Sequence, residues 1–103
     1  MGALGLKLRT LEGGGLLFWC PGCKEAHKVN IGQSHGPTWE YNNNKDAPTF
    51  YPSILIRAIR IGMDGEYTDT VCHSFITNGN IQFGGYCTHE LAGQTVPLPN
   101  FDV

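Results

Sequence analysis

The sequence predicts a small, mainly β, antiparallel fold with at most one short helix. The 103 residues include 14 glycines and 6 prolines, which leaves little room for long helices. Apolar residues also alternate with other residues in several short stretches, as they do in half-buried strands. A chain of this length builds one modest core, so we expect a single domain over residues 1–103. The aromatic content of 11% and the net charge of -2 exclude a disordered chain.

The first half of the chain predicts short strands separated by turns. Leucines recur at every second position over residues 4–9, which predicts one half-buried strand. Residues 12–15 contain three glycines and predict a turn, after which the apolar residues 16–19 return as a strand. Two further short strands are predicted at residues 28–31 and at residues 39–41.

The second half predicts one long strand and one hairpin. Residues 50–61 form the longest apolar run and predict a central strand. Asn78–Gly79 lies between residues 70–77 and residues 80–86, both of which contain alternating apolar positions. This pattern predicts a hairpin with a type I′ turn, because that turn needs two residues with positive φ. Residues 89–92 are the place where one helical turn is expected.

The charge balance and hydropathy exclude several classes of function. Seven Lys and Arg residues stand against nine Asp and Glu residues, and they are scattered, so no basic surface for nucleic acid is predicted. There is no run of about 18 apolar residues that would span a membrane. The first residues lack the pattern of a signal peptide. We therefore expect a cytoplasmic protein that contacts neither nucleic acid nor membrane and keeps its cysteines reduced.

The four cysteines predict a metal site. Cys20-Pro-Gly-Cys23 is a knuckle whose two thiolates can reach one ion. If Asn78–Gly79 is a two-residue turn, alternation puts Cys72 and Cys87 on one face of the hairpin as diagonal neighbours, roughly 7–8 Å apart. In a reducing compartment such cysteines are more often metal ligands than disulfides. We therefore predict a zinc-stabilised β domain with one structural Zn²⁺ bound by Cys20, Cys23, Cys72 and Cys87.

Two histidines compete for a place at this metal. His27 lies four residues after Cys23, and His89 lies two residues after Cys87 on the same predicted face. Either would complete a site of three cysteines and one histidine, which zinc also accepts. The remaining alternative is a metal-free domain with buried thiols.

Ser53 and His73 are candidates for catalysis. Ser53 is a polar residue within the apolar run, and it could be a nucleophile if His73 lies on the adjacent strand. A nucleophilic serine needs a base within hydrogen-bond distance and a third group that orients the base. Ser74 faces away from His73 in the predicted strand, although it could pair with His27 or His89. The sequence leaves these pairings open.

Four segments of the chain resemble a family of small bacterial and phage proteins often mislabelled as ammonia monooxygenase. The resemblance extends from Phe18 to Pro99. The four segments are Phe-Trp-Cys-Pro-Gly-Cys (18–23) with His27; Trp39 followed by Ala-Pro-Thr-Phe-Tyr-Pro-Ser-Ile-Leu (47–55); Cys-His-Ser-Phe-Ile-Thr-Asn-Gly-Asn-Ile-Gln-Phe (72–83); and Cys-Thr-His-Glu-Leu-Ala-Gly-Gln-Thr-Val-Pro-Leu (87–98).

This resemblance implies a serine-type peptidase that processes or removes a ubiquitin-like modifier. Members of the family occur in bacterial operons beside ubiquitin-like proteins and their E1-like and E2-like enzymes. The resemblance directs attention to Ser53, His73, Ser74 and His89, with His73 as general base and either serine as nucleophile. It implies the C-terminal tail of a ubiquitin-like protein as partner. Tyr51 departs from the small residue expected before Pro-Ser in this family.

A second function class stays open at the level of sequence. The same zinc-stapled domain could bind or block a protein partner without catalysis, for example as a phage protein that acts on a host defence factor. Cleavage of a ubiquitin-like fusion separates the two classes, since only the enzyme cleaves it.

Overall fold

A computed structural model describes residues 2–32 and 36–101, and every regular element in these ranges is a β-strand. The predicted mainly β, antiparallel fold is confirmed. The first sheet has the order β1-β2-β3-β4, with strands Gly2–Leu4, Leu8–Thr10, Gly15–Cys20 and Glu25–Asn30. The second has the order β5-β6-β7-β8-β9, with strands Glu40–Tyr41, Phe50–Ile61, Tyr67–Thr77, Asn80–Phe83 and Thr95–Pro97. The described ranges contain no helix that could cross a membrane.

The N-terminal leucine stretch forms a hairpin, so the prediction of one strand over residues 4–9 is wrong. Gly5 has a φ of 66°, a left-handed conformation that glycine adopts without steric cost. The chain reverses there, and Leu4 pairs with Leu8 across β1 and β2. Leu6 lies in the turn and is 69% exposed. The regular spacing of the leucines therefore arises from two short strands and the turn between them.

The long strand and the hairpin of the second sheet form at the predicted residues. Among the described residues, however, β6 has strands on both sides only at Phe50 and Tyr51, where β5 pairs with it, so the prediction of a central strand holds only for its start. Strand β6 spans Phe50–Ile61 and pairs with β7. Asn78 and Gly79 have φ angles of 49° and 80°, as a type I′ turn requires. Strand β8 ends at Phe83, earlier than predicted. The segment where a helical turn was expected forms a non-helical turn, closed by a hydrogen bond of 3.3 Å from the Ala92 N–H to the His89 carbonyl.

The core lies between the two sheets and divides the side chains of β7 into two groups. Phe18 of the first sheet stacks on Phe50 of the second at a ring distance of 6.3 Å. Strand β7 points Cys72, Ser74 and Ile76 into this core, where all three are buried. The alternate positions, among them His73, lie on the outer face of the second sheet. Residues that are adjacent in sequence on β7 therefore serve two separate sites.

Candidate functional site

The inner site is a cluster of three cysteines and one histidine that lie close enough to hold a metal ion. The ligand atoms of Cys20, Cys23, Cys72 and His89 all lie within 4.8 Å of one another. The sulfur atoms of Cys20 and Cys72 are 3.8 Å apart, and Cys72 Sγ is 3.5 Å from His89 Nε2. Cys20 ends strand β3 of the first sheet and Cys23 lies in the turn after it. Cys72 lies on β7 of the second sheet, and His89 lies in the turn between β8 and β9. The cluster thus joins the two sheets.

The turn that follows β3 shapes this cluster. The Lys24 N–H donates to the Cys20 carbonyl at 2.8 Å, and Lys24 itself has a φ of 57°. The Cys23 N–H donates to Cys20 Sγ at 3.4 Å. Gly22 has a different role in this turn, because the His89 ring packs against it so closely that no side chain fits there. A Cβ atom at Gly22 would stand 2.6 Å from His89 Nδ1 and closer still to two other ring atoms.

The cysteine thiols of the cluster compete for protons. The hydrogen bond from Cys72 lowers the pKa of Cys20 to about 4, against an opposing effect of burial. The same hydrogen bond and burial raise the pKa of Cys72, and burial raises the pKa of Cys23 to about 11. Three thiolates cannot coexist here without a cation to balance them. A bound divalent ion supplies that charge, so the donor set fits a metal.

Cys87 lies outside this cluster, although the sequence prediction made it the fourth ligand. The predicted alternation required β8 to continue to residue 87, but the chain turns after Phe83. Cys87 Sγ instead accepts a hydrogen bond of 3.3 Å from the His73 N–H and donates one of 3.4 Å to the His73 carbonyl. The turn brings His89 to the cluster in its place. The geometry favours the alternative of three cysteines and one histidine.

His27 lies beside the same cluster. Its side chain is 5% exposed, and its Nε2 atom is buried without a hydrogen-bond partner among the described residues. Cys23, Glu25 and His27 form a second group whose ligand atoms lie within 4.8 Å of one another. The nearby His27 imidazole also contributes to the low pKa of Cys20. The second histidine of the sequence prediction is therefore near the candidate metal position as well.

The outer site is a serine and histidine pair on the opposite face of the second sheet. Ser53 Oγ lies 2.7 Å from His73 Nε2. The two residues come from neighbouring strands, since Leu55 of β6 is the direct partner of His73 on β7. The register shifts between Phe50 and Ile54, and such a bulge can redirect a side chain. Ser53 sits within this irregular stretch and reaches His73 diagonally.

Three aromatic residues contact this pair. The Trp39 Nε1–H donates to the Ser53 carbonyl at 3.2 Å. The Tyr86 hydroxyl is hydrogen-bonded to His73 Nδ1, and the two rings stack at 5.6 Å. Phe75 packs against the same imidazole at 5.2 Å. The sequence interpretation assigned no role at the pair to Trp39 or Tyr86, because each lies more than ten residues from the residue it contacts and no local motif links them.

Ser74 and His89 lie away from this outer pair. Ser74 is 1% exposed on the inner face of β7, between its strand partners Ile54 and Phe83. It points away from His73, as strand alternation predicts. His89 belongs to the inner cluster. Of the four residues suggested for catalysis, the structure brings together Ser53 and His73.

A family model matches residues 5–84 and is described as "Bacterial ubiquitination-like system serine protease (BubE)". The chain belongs to the BubE family. The predicted resemblance to a peptidase family of bacterial ubiquitin-like conjugation operons is confirmed. The BubE match includes Ser53 and His73, whereas Tyr86, Cys87 and His89 lie beyond its last residue. No curated protein and no solved structure matched the chain.

Proposed function

We propose that this BubE-family chain is a serine peptidase that cleaves the bond following the C-terminal tail of a ubiquitin-like protein. In this proposal Ser53 is the nucleophile and His73 is the general base. The observation that carries it is the 2.7 Å distance between Ser53 Oγ and His73 Nε2. This is the contact that a serine nucleophile needs, because its hydroxyl must lose a proton as it attacks.

The proposed reaction needs no group other than this pair and water to move protons. Ser53 Oγ attacks the carbonyl carbon of the scissile peptide or isopeptide bond while its proton passes to His73 Nε2. The C–N bond breaks, Nε2 gives the proton to the leaving amine, and the tail remains as an ester of Ser53. Water then attacks the ester carbonyl and loses a proton to Nε2. The tail leaves as an acid, and Nε2 returns the proton to Ser53 Oγ.

The surface around the pair supports a protein as substrate. Ser53 and His73 lie on the outer face of the β6–β7 pair, which also carries exposed apolar side chains on both strands and the exposed Arg57–Asp69 ion pair between them. These side chains are Leu55, Ile59, Ile61, Tyr67 and Phe75. Exposed apolar side chains grouped on one face are typical of protein interaction sites. A ubiquitin-like protein whose tail reaches Ser53 would cover this face.

We assign the inner cluster to one structural Zn²⁺ bound by Cys20, Cys23, Cys72 and His89. Two sulfurs on a tetrahedral zinc lie about 3.8 Å apart, and a sulfur and a nitrogen about 3.6 Å apart, given usual bond lengths. The distances of 3.8 Å and 3.5 Å in the cluster agree with both values. Zinc here would stabilise the junction of the two sheets. It takes no part in the proposed cleavage, which occurs on the other face of β7.

The proposed ligand set is tested with variants of the two histidines and of Cys87. The Leu91 N–H donates to His89 Nδ1 at 3.2 Å, and Nε2 of the same ring lies 3.5 Å from Cys72 Sγ, so Nε2 would be the ligand atom. We expect His89→Ala to lower zinc affinity far more than His27→Gln or Cys87→Ala, as measured by competition with a chromophoric chelator. Equal affinity in the His89→Ala variant and the wild type would contradict this ligand set.

The proposed catalytic pair is tested with single alanine variants. We expect Ser53→Ala and His73→Ala to lower kcat for a ubiquitin-like protein fused to a reporter by roughly a thousandfold or more. Ser74→Ala is the matched control, because Ser74 points into the core. A fluorophosphonate probe should phosphonylate the peptide that contains Ser53, as detected by mass spectrometry. Circular dichroism and zinc content show that each variant is folded.

The results separate the two function classes. Cleavage that survives in Ser53→Ala contradicts the assignment of the nucleophile. A folded, zinc-loaded wild-type chain that neither cleaves the fusion nor reacts with the probe contradicts the peptidase and leaves the binding module.

A further inference from the structure

We propose that Tyr86 is the residue that positions His73 for catalysis, in the place where serine peptidases commonly have a carboxylate. This inference rests on the proposed function, because it assumes that His73 Nε2 accepts the proton of Ser53. The Tyr86 hydroxyl is hydrogen-bonded to the other ring nitrogen, Nδ1. Among the described residues, Ser53 and Tyr86 provide all the side-chain hydrogen bonds to the His73 ring. No described Asp or Glu carboxylate occupies this position.

The proton arrangement follows from the chemistry of imidazole. A neutral imidazole has one donor nitrogen and one acceptor nitrogen, and the hydrogen bond at one nitrogen selects the state of the other. If Nε2 accepts from Ser53, then Nδ1 carries the proton and donates it to the Tyr86 oxygen. Tyr86 thereby holds the tautomer in which His73 can act as a base. It also accepts a charge-assisted hydrogen bond from the imidazolium that forms during attack.

The backbone around His73 fixes Tyr86 in this place. The Gly84 N–H donates to the His73 carbonyl at 2.9 Å, and the Cys87 N–H donates to the Gly84 carbonyl at 3.2 Å. The Cys87 thiol contacts both backbone polar groups of His73. A Cβ atom at Gly84 would lie 3.3 Å from Tyr86 Cε1, so the glycine leaves room for the tyrosine ring. The segment of residues 84–87 is thus bound to the backbone of the residue whose ring Tyr86 contacts.

The test removes the hydroxyl and keeps the ring. We expect Tyr86→Phe to lower kcat on the fusion substrate, and the rate of fluorophosphonate reaction at Ser53, by roughly 10- to 100-fold, the loss of one hydrogen bond to a charged group. KM should change little, because the hydroxyl acts on His73. Tyr41→Phe removes a hydroxyl from a tyrosine of β5 that stacks on Phe50 at 5.3 Å, outside both proposed sites, and should leave both rates unchanged.

A second measurement reads the tautomer directly and requires no activity. In a long-range ¹H–¹⁵N correlation spectrum with labelled histidine, His73 of the wild type should carry its proton on Nδ1. In Tyr86→Phe a substantial population should carry it on Nε2. The inference is overturned if the wild-type proton resides on Nε2, or if Tyr86→Phe changes neither the tautomer nor the reaction rates. An inert wild type with the Nδ1 proton and a tautomer change in Tyr86→Phe would refute the peptidase proposal but retain the role of Tyr86 in orienting His73.

Discussion

Replacement of Gly22 by alanine tests whether His89 belongs to the metal site. The new Cβ atom would stand 2.6 Å from His89 Nδ1 and closer to Cε1 and Nε2. Ordinary contact between such atoms begins near 3.5 Å, so the ring must withdraw by about 1 Å. Metal–ligand distances in proteins hold to about 0.2 Å. A displaced His89 could therefore not keep a bond to an ion held by Cys20, Cys23 and Cys72.

We expect Gly22→Ala to weaken zinc binding by at least 10- to 100-fold, the loss that follows when groups orienting a ligand are disturbed. The assay is competition with a chromophoric chelator, with zinc per chain measured in parallel. Co²⁺ substitution gives a second measurement, because its visible spectrum reports the loss of a tetrahedral nitrogen ligand.

Gly85→Ala is the matched control for this substitution. A Cβ atom at Gly85 meets no heavy atom within 4 Å, so this variant should bind zinc like the wild type. The reasoning is refuted if Gly22→Ala and Gly85→Ala have the same zinc affinity as the wild type. If Gly22→Ala binds zinc like the wild type while His89→Ala binds it more weakly, the His89 ring can still reach the metal beside the new alanine side chain and the steric argument is wrong.

Three further predictions concern the metal, the serine and the outer face. Removal of zinc with a strong chelator should lower Tm by roughly 10 °C or more, because the ligands join the two sheets. Below this lower Tm, fluorophosphonate should still react with Ser53. If a folded, zinc-free chain no longer reacted, the metal would have a catalytic role. Trp39→Phe removes the 3.2 Å hydrogen bond to the Ser53 carbonyl. The variant should fold like the wild type and have a kcat lower by up to about tenfold. A rise in KM with kcat unchanged would contradict a role of Trp39 in positioning Ser53. The double variant Ile59→Thr/Ile61→Thr removes exposed apolar surface and should raise KM for the fusion by roughly tenfold with an unchanged rate of Ser53 labelling. Steady-state kinetics on the fusion would show an unchanged KM if that face lay outside the substrate contact.

The parts of the fold that depend on residues close together in the sequence could be predicted from it. The hairpin at Asn78–Gly79 is one example, because the φ preferences of two adjacent residues select its turn and the register follows by counting. The long strand at residues 50–61 is another, since its β-branched and aromatic residues favour an extended strand, even though Leu55, Ile59 and Ile61 are exposed. The prediction of one strand over residues 4–9 was wrong because Gly5 permits a chain reversal that the regular spacing of the leucines does not reveal.

The candidate metal site shows where such counting ends. Alternation predicts the face of a residue only while the strand continues, and β8 stops at Phe83. The chain turns after this strand, so Cys87 forms hydrogen bonds with the His73 backbone and His89 reaches Cys72. Sequence reasoning recognised the chemistry of the site and included the histidine as an alternative. The sequence alone could not decide between Cys87 and a histidine as the fourth ligand, because that depends on the path of the loop after β8.

The sequence by itself determined the β class, the Cys20–Cys23 knuckle, the residue types that are candidates for catalysis and the family of this chain. These properties depend on composition, short-range spacing and motif. The tertiary structure decided which serine meets His73, which groups surround the cysteines and that a tyrosine contacts the second imidazole nitrogen. Each of these contacts joins residues from different strands or loops. Their distances depend on the register of β6 with β7, its irregularity at Ser53 and the turn after β8, which local preferences do not encode.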